Sequence, residues 1–449
     1  MGDTSTSTLD RAAQAYGEHV RTLCSRYTAA LAEHQFDAAV VFSGTPLVQF
    51  LDDNTYPFKA NPQFKHWVPL TELPDSFLIF TPTTKPVLVY YQPDDYWHKT
   101  PDAPSGFWVD DIDIKVVSNK NDAKKWMPKG QLAFLGEWQE RFERWGKFAV
   151  NPEALVHHLH YDRAWKTDYE IACMEQASWL GALGHRAAYR AFEDETSEYD
   201  IHLAYCAACG HTEEQLPYGN IIALNDHSAV LHYTYRDTHI VPADERRSFL
   251  IDAGASCHGY ASDITRTYAA REGLYADLIE GMDELQRIIC DMVKPKVRYP
   301  QLHLDTHRAI GGLLHSAGVI TLGGDDAADS GLTSAFYPHG LGHYIGLQVH
   351  DVGGFMKDKS GEYVAPPDGH AFLRLTRRID VNQVMTIEPG VYIIDSLLKA
   401  VREGPLKKQV NWDLVDTLRP FGGVRIEDNV VVTEGAPRNL TREAFAKLD

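Results

Sequence analysis

Acidic and imidazole side chains recur in four segments of this sequence, each set in or beside an apolar run. The first is SFLIDAGASCHGYASDITRTY, Ser248 to Tyr268, where one apolar β-run ends at Asp252 and a second carries Asp263. A hairpin centred near Cys257–His258 sets the two aspartates directly opposite each other. Such neighbours lie about 4.5–5.5 Å apart at Cβ, where like charges repel. Bridging cations relieve that repulsion; the plainer alternative is that one aspartate caps a turn or faces water. The second segment is YPHGLGHYIGLQVHDVGG, Tyr337 to Gly354, with His339, His343 and His350. Pro338, Gly340, Gly342 and Gly346 argue against a regular helix, so the imidazoles gather on a glycine-shaped loop.

The third segment, VMTIEPGVYII from Val384 to Ile394, is an apolar strand that runs into Glu388. An acid there is costly unless it is paired or metal-bound. The alternative is an edge-strand glutamate stopped by Pro389. In the fourth, GGVRIEDNVVVT from Gly422 to Thr433, Arg425 and Glu427 are two apart and share a sheet face. They read either as a surface ion pair or as a metal ligand beside its orienting partner. Together Asp252, Asp263, His343, Glu388 and Glu427 form a carboxylate-rich set with one imidazole, which suits hard divalent ions such as Mn²⁺. Two shared carboxylates suggest a pair of ions roughly 3.5–4 Å apart, as in two-metal hydrolases.

Positioning these segments takes two domains, 1–160 and 161–449, in an α+β chain. The first reads as a smaller α/β domain. An amphipathic helix around residues 9–34 precedes a β-run from Asp37, and a hairpin joins FLIF from Phe77 to PVLVYY from Pro86. QLAFLGE from Gln131 is a further strand, and Ala154 to His160 continues the β pattern. A long polar and aromatic loop, Phe50 to Pro69, has the length of a functional or interfacial segment. Asp162 to about Glu193 reads as one long helix and the domain boundary; paired β-rich segments then fall near 218–240, 248–268, 384–395 and 423–433.

The 449 residues carry 43 Lys and Arg against 62 Asp and Glu, a net charge of −19 that repels phosphate backbones and anionic membranes. Neither nucleic acid nor a membrane is an expected partner, since no stretch approaches the ~20 apolar residues of a membrane span. The N-terminus lacks the basic and apolar regions of a secretory signal. Six scattered cysteines, including the Cys206/Cys209 pair in a helical context, read as free thiols rather than a disulfide framework. A cytoplasmic setting is the expectation.

These motifs, in this order, resemble the creatinase/prolidase/methionine-aminopeptidase superfamily with its pita-bread fold, here in the C-terminal domain. FLDDNTYPFKANPQF, NDHSAVLHYT, HGLGHYIGLQVHD and FLRLTRRI are most similar to bacterial Xaa-Pro dipeptidases (prolidases), also called organophosphorus acid anhydrolases. The resemblance implies a homodimeric dipeptidase that attacks Xaa-Pro dipeptides with a hydroxide held between two Mn²⁺ ions, Co²⁺ or Zn²⁺ being alternatives. It makes Asp252 a bidentate ligand, Asp263 and Glu427 bridges, and His343 and Glu388 the remaining ligands. Glu388 would also shuttle the proton, His232 and His350 would flank the scissile carbonyl, and His339 would line the proline side. Arg425 would anchor Glu427 and face the substrate. Arg374 would read the free carboxylate, although an exposed structural arginine is an equal alternative. Tyr218, Leu231 and Tyr299 would wall the pocket, with Gly342 leaving its shape open, and Asp52 or Asp53 would meet the substrate amine from a neighbouring subunit. A side activity on phosphotriesters or fluorophosphonates is also implied. An aminopeptidase P acting on Xaa-Pro-Yaa peptides, or a metal-free binding module, is the alternative reading.

Overall fold

The computed structural model describes residues 3–448. The chain divides into two compact units, Met1–Cys173 with Cys257–Tyr260 and Met356–Glu362, and Met174–Ser256 with Ala261–Phe355 and Tyr363–Asp449.

The first unit runs α1 (Asp3–Glu33), β1 (Ala38–Phe42), α2 (Pro62–Trp67), β2 (Phe77–Phe80), β3 (Val87–Tyr91), β4 (Asp113–Val117), β5 (Leu132–Leu135), β6 (Phe148–Val150) and α3 (Glu153–Asp162). Its six-stranded sheet has the order β4-β3-β2-β1-β5-β6. Strand β1 pairs antiparallel with β2 and parallel with β5, and all its residues are buried, as expected for a strand covered on both faces. Residues 154–160 are helical where the sequence suggests a continuation of the β pattern. Leu155, His158 and Leu159 are the buried positions, and that spacing of three and four is helical. The long helix α4 (Asp168–Glu193) starts later than the sequence suggests. Thr167 and Glu170 cap each other there, with the Thr167 N–H donating to Glu170 Oε2 at 2.9 Å and the Glu170 N–H to Thr167 Oγ1 at 3.4 Å.

The chain continues with α5 (Glu198–Cys209), β7 (Ile221–Leu224), β8 (Ser248–Asp252), β9 (Ser256–Cys257), β10 (Tyr260–Ala261) and β11 (Thr265–Ala269), all in the second unit but for the Cys257–Tyr260 turn. Next come α6 (Leu274–Asp291), α7 (Tyr299–Ser316), α8 (Gly324–Asp329), β12 (Val384–Ile387) and β13 (Gly390–Tyr392). The chain ends with α9 (Asp395–Glu403), α10 (Trp412–Leu418), β14 (Gly423–Arg425), β15 (Asp428–Val431), β16 (Arg438–Asn439) and α11 (Leu440–Ala446). Three short sheets, β11-β8-β7, β12-β15-β16 and β13-β14, carry the acidic segments. Phe249 and Ile251 of β8 join Phe192 of α4 and Ile201 and Tyr205 of α5 in one apolar core. The alternation of a strand therefore turns Leu250 and Asp252 to the other face.

Two sequence expectations change here. Between 218 and 240 only β7 is a strand, because Asn225 (φ 55°) ends it, its side chain accepting from the N–H groups of Arg247 and Ser248. The 248–268 hairpin turns at His258 (φ 50°) and Gly259 (φ 88°), one position later than the spacing suggests. Asp252 therefore pairs with Thr265, and Asp263 lies diagonally across on the same face rather than directly opposite. Among the described residues no helix is long and apolar enough to cross a membrane.

Asn429 fixes the position of Asp263. Its amide accepts from the Asp263 N–H at 3.2 Å and donates to the Asp263 carbonyl at 2.8 Å, fully buried. Asn429→Leu leaves both backbone groups unpaired and is expected to cost about 3 kcal/mol, read as a lowered urea midpoint. An unchanged midpoint would show that this clamp does not hold the strand.

Candidate metal centre

Four of the five donor residues arrive from strand ends in the second unit. Asp252 closes β8, Asp263 precedes β11, Glu388 follows β12 and Glu427 precedes β15. His343 belongs to the Gly340–Tyr344 segment, which lies along β12 as backbone rather than helix. The Thr386 N–H donates to the His343 carbonyl and the Glu388 N–H to the Leu341 carbonyl, both at 2.9 Å. Gly342 (φ 154°) permits this approach, since a Cβ there would sit 2.2 Å from the Thr386 carbonyl oxygen and 2.5 Å from the Tyr299 hydroxyl.

Asp263, His343 and Glu427 are all buried, and each offers one donor atom within 4.8 Å of the other two. His343 Nδ1 donates to the Tyr344 carbonyl at 2.9 Å, so Nε2 keeps its lone pair. That nitrogen lies 3.5 Å from Asp263 Oδ2 and 3.5 Å from Glu388 Oε1. The Tyr218 hydroxyl lies 2.7 Å from Asp252 Oδ1 and 2.5 Å from Asp263 Oδ1. One phenolic proton can serve only one of these carboxylates, so the other needs a proton or a cation.

Electrostatics points the same way. Burial raises the pKa of Asp252 and of Glu427, and it pushes Glu388 up to about 7. Burial also works against the ionised Asp263, yet His343 and Tyr218 hold its pKa below the ordinary carboxylate value. Burial disfavours the His343 imidazolium too, but Asp263 and Glu388 outweigh it and raise its pKa. Arg425 is the guanidinium that answers this charge. It donates to Asp252 Oδ2 (2.7 Å) and the Tyr392 hydroxyl (2.8 Å) through Nη2 and Nη1, and to Thr265 Oγ1 (3.2 Å) through Nε. Its link to Glu427 passes through Thr265, whose hydroxyl donates to Glu427 Oε2 at 2.7 Å. Two buried and two half-buried carboxylates against one guanidinium leave an excess of negative charge and free oxygen donors, which fits bound divalent cations.

The remaining candidates have varied surroundings. His339 Nδ1 donates to the Gly340 carbonyl, and Nε2 accepts from the Tyr392 hydroxyl, each at 2.8 Å. Burial and Arg425 lower the His339 pKa to about 3, so the ring is neutral, with Nδ1 3.7 Å from Glu388 Oε2. His350 packs edge-on against His343, ring centroids 4.3 Å apart. Burial, then the His343 and Arg374 charges, lower its pKa to about 4. Exposed His232 acts electrostatically on both His339 and His350. Arg374 is exposed and Leu231 half-buried. Tyr299 is fully buried behind Gly342, its hydroxyl donating to the Thr386 carbonyl, so it supports the loop rather than facing outward. Asp52, in the first unit, accepts from the N–H groups of Asp53 and Asn54 and from the Asn54 amide, which depresses its pKa. Thr265 and Tyr392 escape sequence reasoning. Thr265 stands two residues from Asp263 and could have been found from that shared face; Tyr392 carries no such signal.

A family model described as the Xaa-Pro dipeptidase N-terminal domain matches residues 14–161. One described as metallopeptidase family M24 matches residues 172–434. The Xaa-Pro dipeptidase of Xanthomonas campestris pv. campestris (strain B100) is 50% identical over 434 residues, which is 96% of this chain and 98% of that protein. That of Shewanella pealeana is 45% identical over 436 residues, 97% of this chain and 99% of the relative. Among solved structures, Pseudomonas aeruginosa aminopeptidase PepP aligns with a TM-score of 0.70 at 23% identity, over 96% of this chain and 98% of its own. At that identity the likeness concerns the fold.

Gly342→Ala drives a methyl group into the Thr386 carbonyl and must displace His343. The expected result is a fall in kcat/KM of about 100-fold, together with weaker metal retention on dialysis. A variant that keeps its metal and its rate would show that the loop has room to spare.

Proposed function

The chain belongs to metallopeptidase family M24 and its sequence relatives are Xaa-Pro dipeptidases, and from that premise we propose how its residues share the hydrolysis of an Xaa-Pro dipeptide. The observation that carries the reading is the buried cluster of Asp263, His343 and Glu427, with Asp252 and Glu388 at its edge. These five side chains would hold two divalent ions, with Mn²⁺ as the ion that best suits the donor set. When bound, such ions supply Lewis-acid polarisation and an acidified water near neutral pH.

The protein's own groups do the rest. Glu388 stands between the ligand cluster and His339, where a carboxylate can take the proton released from water and return it to the leaving proline nitrogen. His350 is held neutral by burial, and a ring N–H from it or from His232 can donate to the oxygen that gains charge on attack. His339 is locked as a neutral ring by Gly340 and Tyr392 and presents an apolar face to the proline side. Arg425 positions Asp252 and, through Thr265, Glu427. Arg374 reads the free carboxylate of a dipeptide, which a guanidinium matches geometrically. Exposed Phe50 and Leu51, beside Asp52, suit a homodimer contact that carries Asp52 to a second subunit's substrate amine. Six free cysteines accord with a reducing, cytoplasmic setting.

Glu388→Gln should lower kcat by about 10²–10⁴-fold while the fold, read by circular dichroism, stays intact. Near wild-type turnover would remove Glu388 from the proton path. Arg374→Ala should raise KM for an Xaa-Pro dipeptide about 10–100-fold and leave an Xaa-Pro amide, which lacks the carboxylate, unaffected. Equal losses on both substrates, or efficient cleavage of Xaa-Pro-Yaa tripeptides by the unaltered enzyme, would reassign Arg374 and favour aminopeptidase P specificity. One phosphotriester in the same panel tests the organophosphorus reading.

A further inference from the structure

A second group of metal donors lies in the same unit, apart from the carboxylates. His303 and His307 are four residues apart on α7 and therefore share one face of the helix. His370 meets them from a loop held by two turns, its N–H donating to the Pro367 carbonyl and its carbonyl accepting from the Leu373 N–H. Each of the three rings offers a nitrogen within 4.8 Å of the other two. Their centroids stand 4.7, 4.7 and 4.6 Å apart, each pair strongly inclined.

We propose that His303, His307 and His370 form a third metal site, of the imidazole-only type that takes Zn²⁺ or a similar borderline divalent ion. Four observations support it. His303 and His307 are 1% and 2% exposed, so two imidazoles are buried side by side with only one hydrogen bond inside the trio, His303 Nε2 to His370 Nδ1 at 2.9 Å. His303 Nδ1 is buried and has no hydrogen-bond partner among the described residues. The Nδ1 of His307 is engaged with Thr333 Oγ1 at 2.8 Å, which leaves its Nε2 as donor, the arrangement seen where a polar partner orients a ligating histidine. Burial, reinforced by neighbouring histidines, lowers the pKa of His303 to about 2 and of His307 to about 3, which keeps the rings in the neutral form that binds metal.

The donor chemistry separates this site from the carboxylate centre. Imidazole favours Zn²⁺, Cu²⁺ and Ni²⁺, whereas carboxylates favour Mn²⁺ and Mg²⁺. Three imidazoles leave the fourth corner of a tetrahedron for water, and half-buried His370 marks the open side.

The test uses the whole enzyme preloaded with Mn²⁺, titrated with Zn²⁺, dialysed, and analysed for both metals by mass spectrometry. The wild type is expected to retain one more zinc per chain than His370→Ala or His307→Gln, each of which should bind it at least tenfold more weakly. His370→Ala removes a half-buried loop side chain and so keeps the test open where His307→Gln fails to fold. Equal zinc content in the wild type and His370→Ala, with manganese unchanged, would overturn the proposal and leave the trio as a hydrogen-bonded histidine group.

Discussion

The second unit is organised around a charge problem. Asp252, Asp263, Glu388 and Glu427 are brought together with little access to water, and Arg425 donates to the Asp252 carboxylate. Burial of like charges costs several kcal/mol per uncompensated ion, so the arrangement persists only if positive charge enters or protons are retained. The raised pKa values of Asp252, Glu388 and Glu427 express that demand. Metal binding and folding are consequently linked here, because ligands arranged this way are stabilised by the ions they receive.

The polar side chains around the cluster hold the carboxylates in one geometry while leaving oxygen donors unused. Arg425, Tyr392 and His339 form a chain of hydrogen bonds that ends on the Gly340 carbonyl, so the tautomer of His339 and the orientation of Asp252 are set together. Thr265 ties Arg425 to Glu427, and Asn429 pins the backbone of Asp263. None of these contacts consumes His343 Nε2, whose nearest acidic oxygens stay 3.5 Å away. A rigid frame with open donors is what a metal site needs before its metal arrives.

Much of this was legible in the sequence, and the failures have specific causes. The acidic strand ends and the glycine-shaped histidine loop stand out because charge beside an apolar run is expensive and glycine marks close backbone approach. Strand β1 and the hairpin of β2 and β3 follow from β-branched and aromatic runs. The register of Asp252 and Asp263 did not follow, since it depends on where a two-residue turn places its positive φ angles, here at His258 and Gly259. Helix α3 follows a series of β-runs and opens on an apolar Ala-Leu-Val step, so only the burial of Leu155, His158 and Leu159 separates it from them. Asp252's bond to Arg425 and the role of Tyr392 depend on contacts between residues far apart in the chain, which local pattern does not encode.

The turn at His258–Gly259 joins Asp252 and Asp263 through a local hairpin, whereas Thr265 reaches Glu427 across 162 positions of sequence. Local contacts close quickly, and distant ones must first overcome the entropy of a long loop. The two aspartates thus share one local hairpin, while Glu427 joins them through contacts that span the second unit. The complete ligand set is therefore a property of the native topology and of no single segment of sequence.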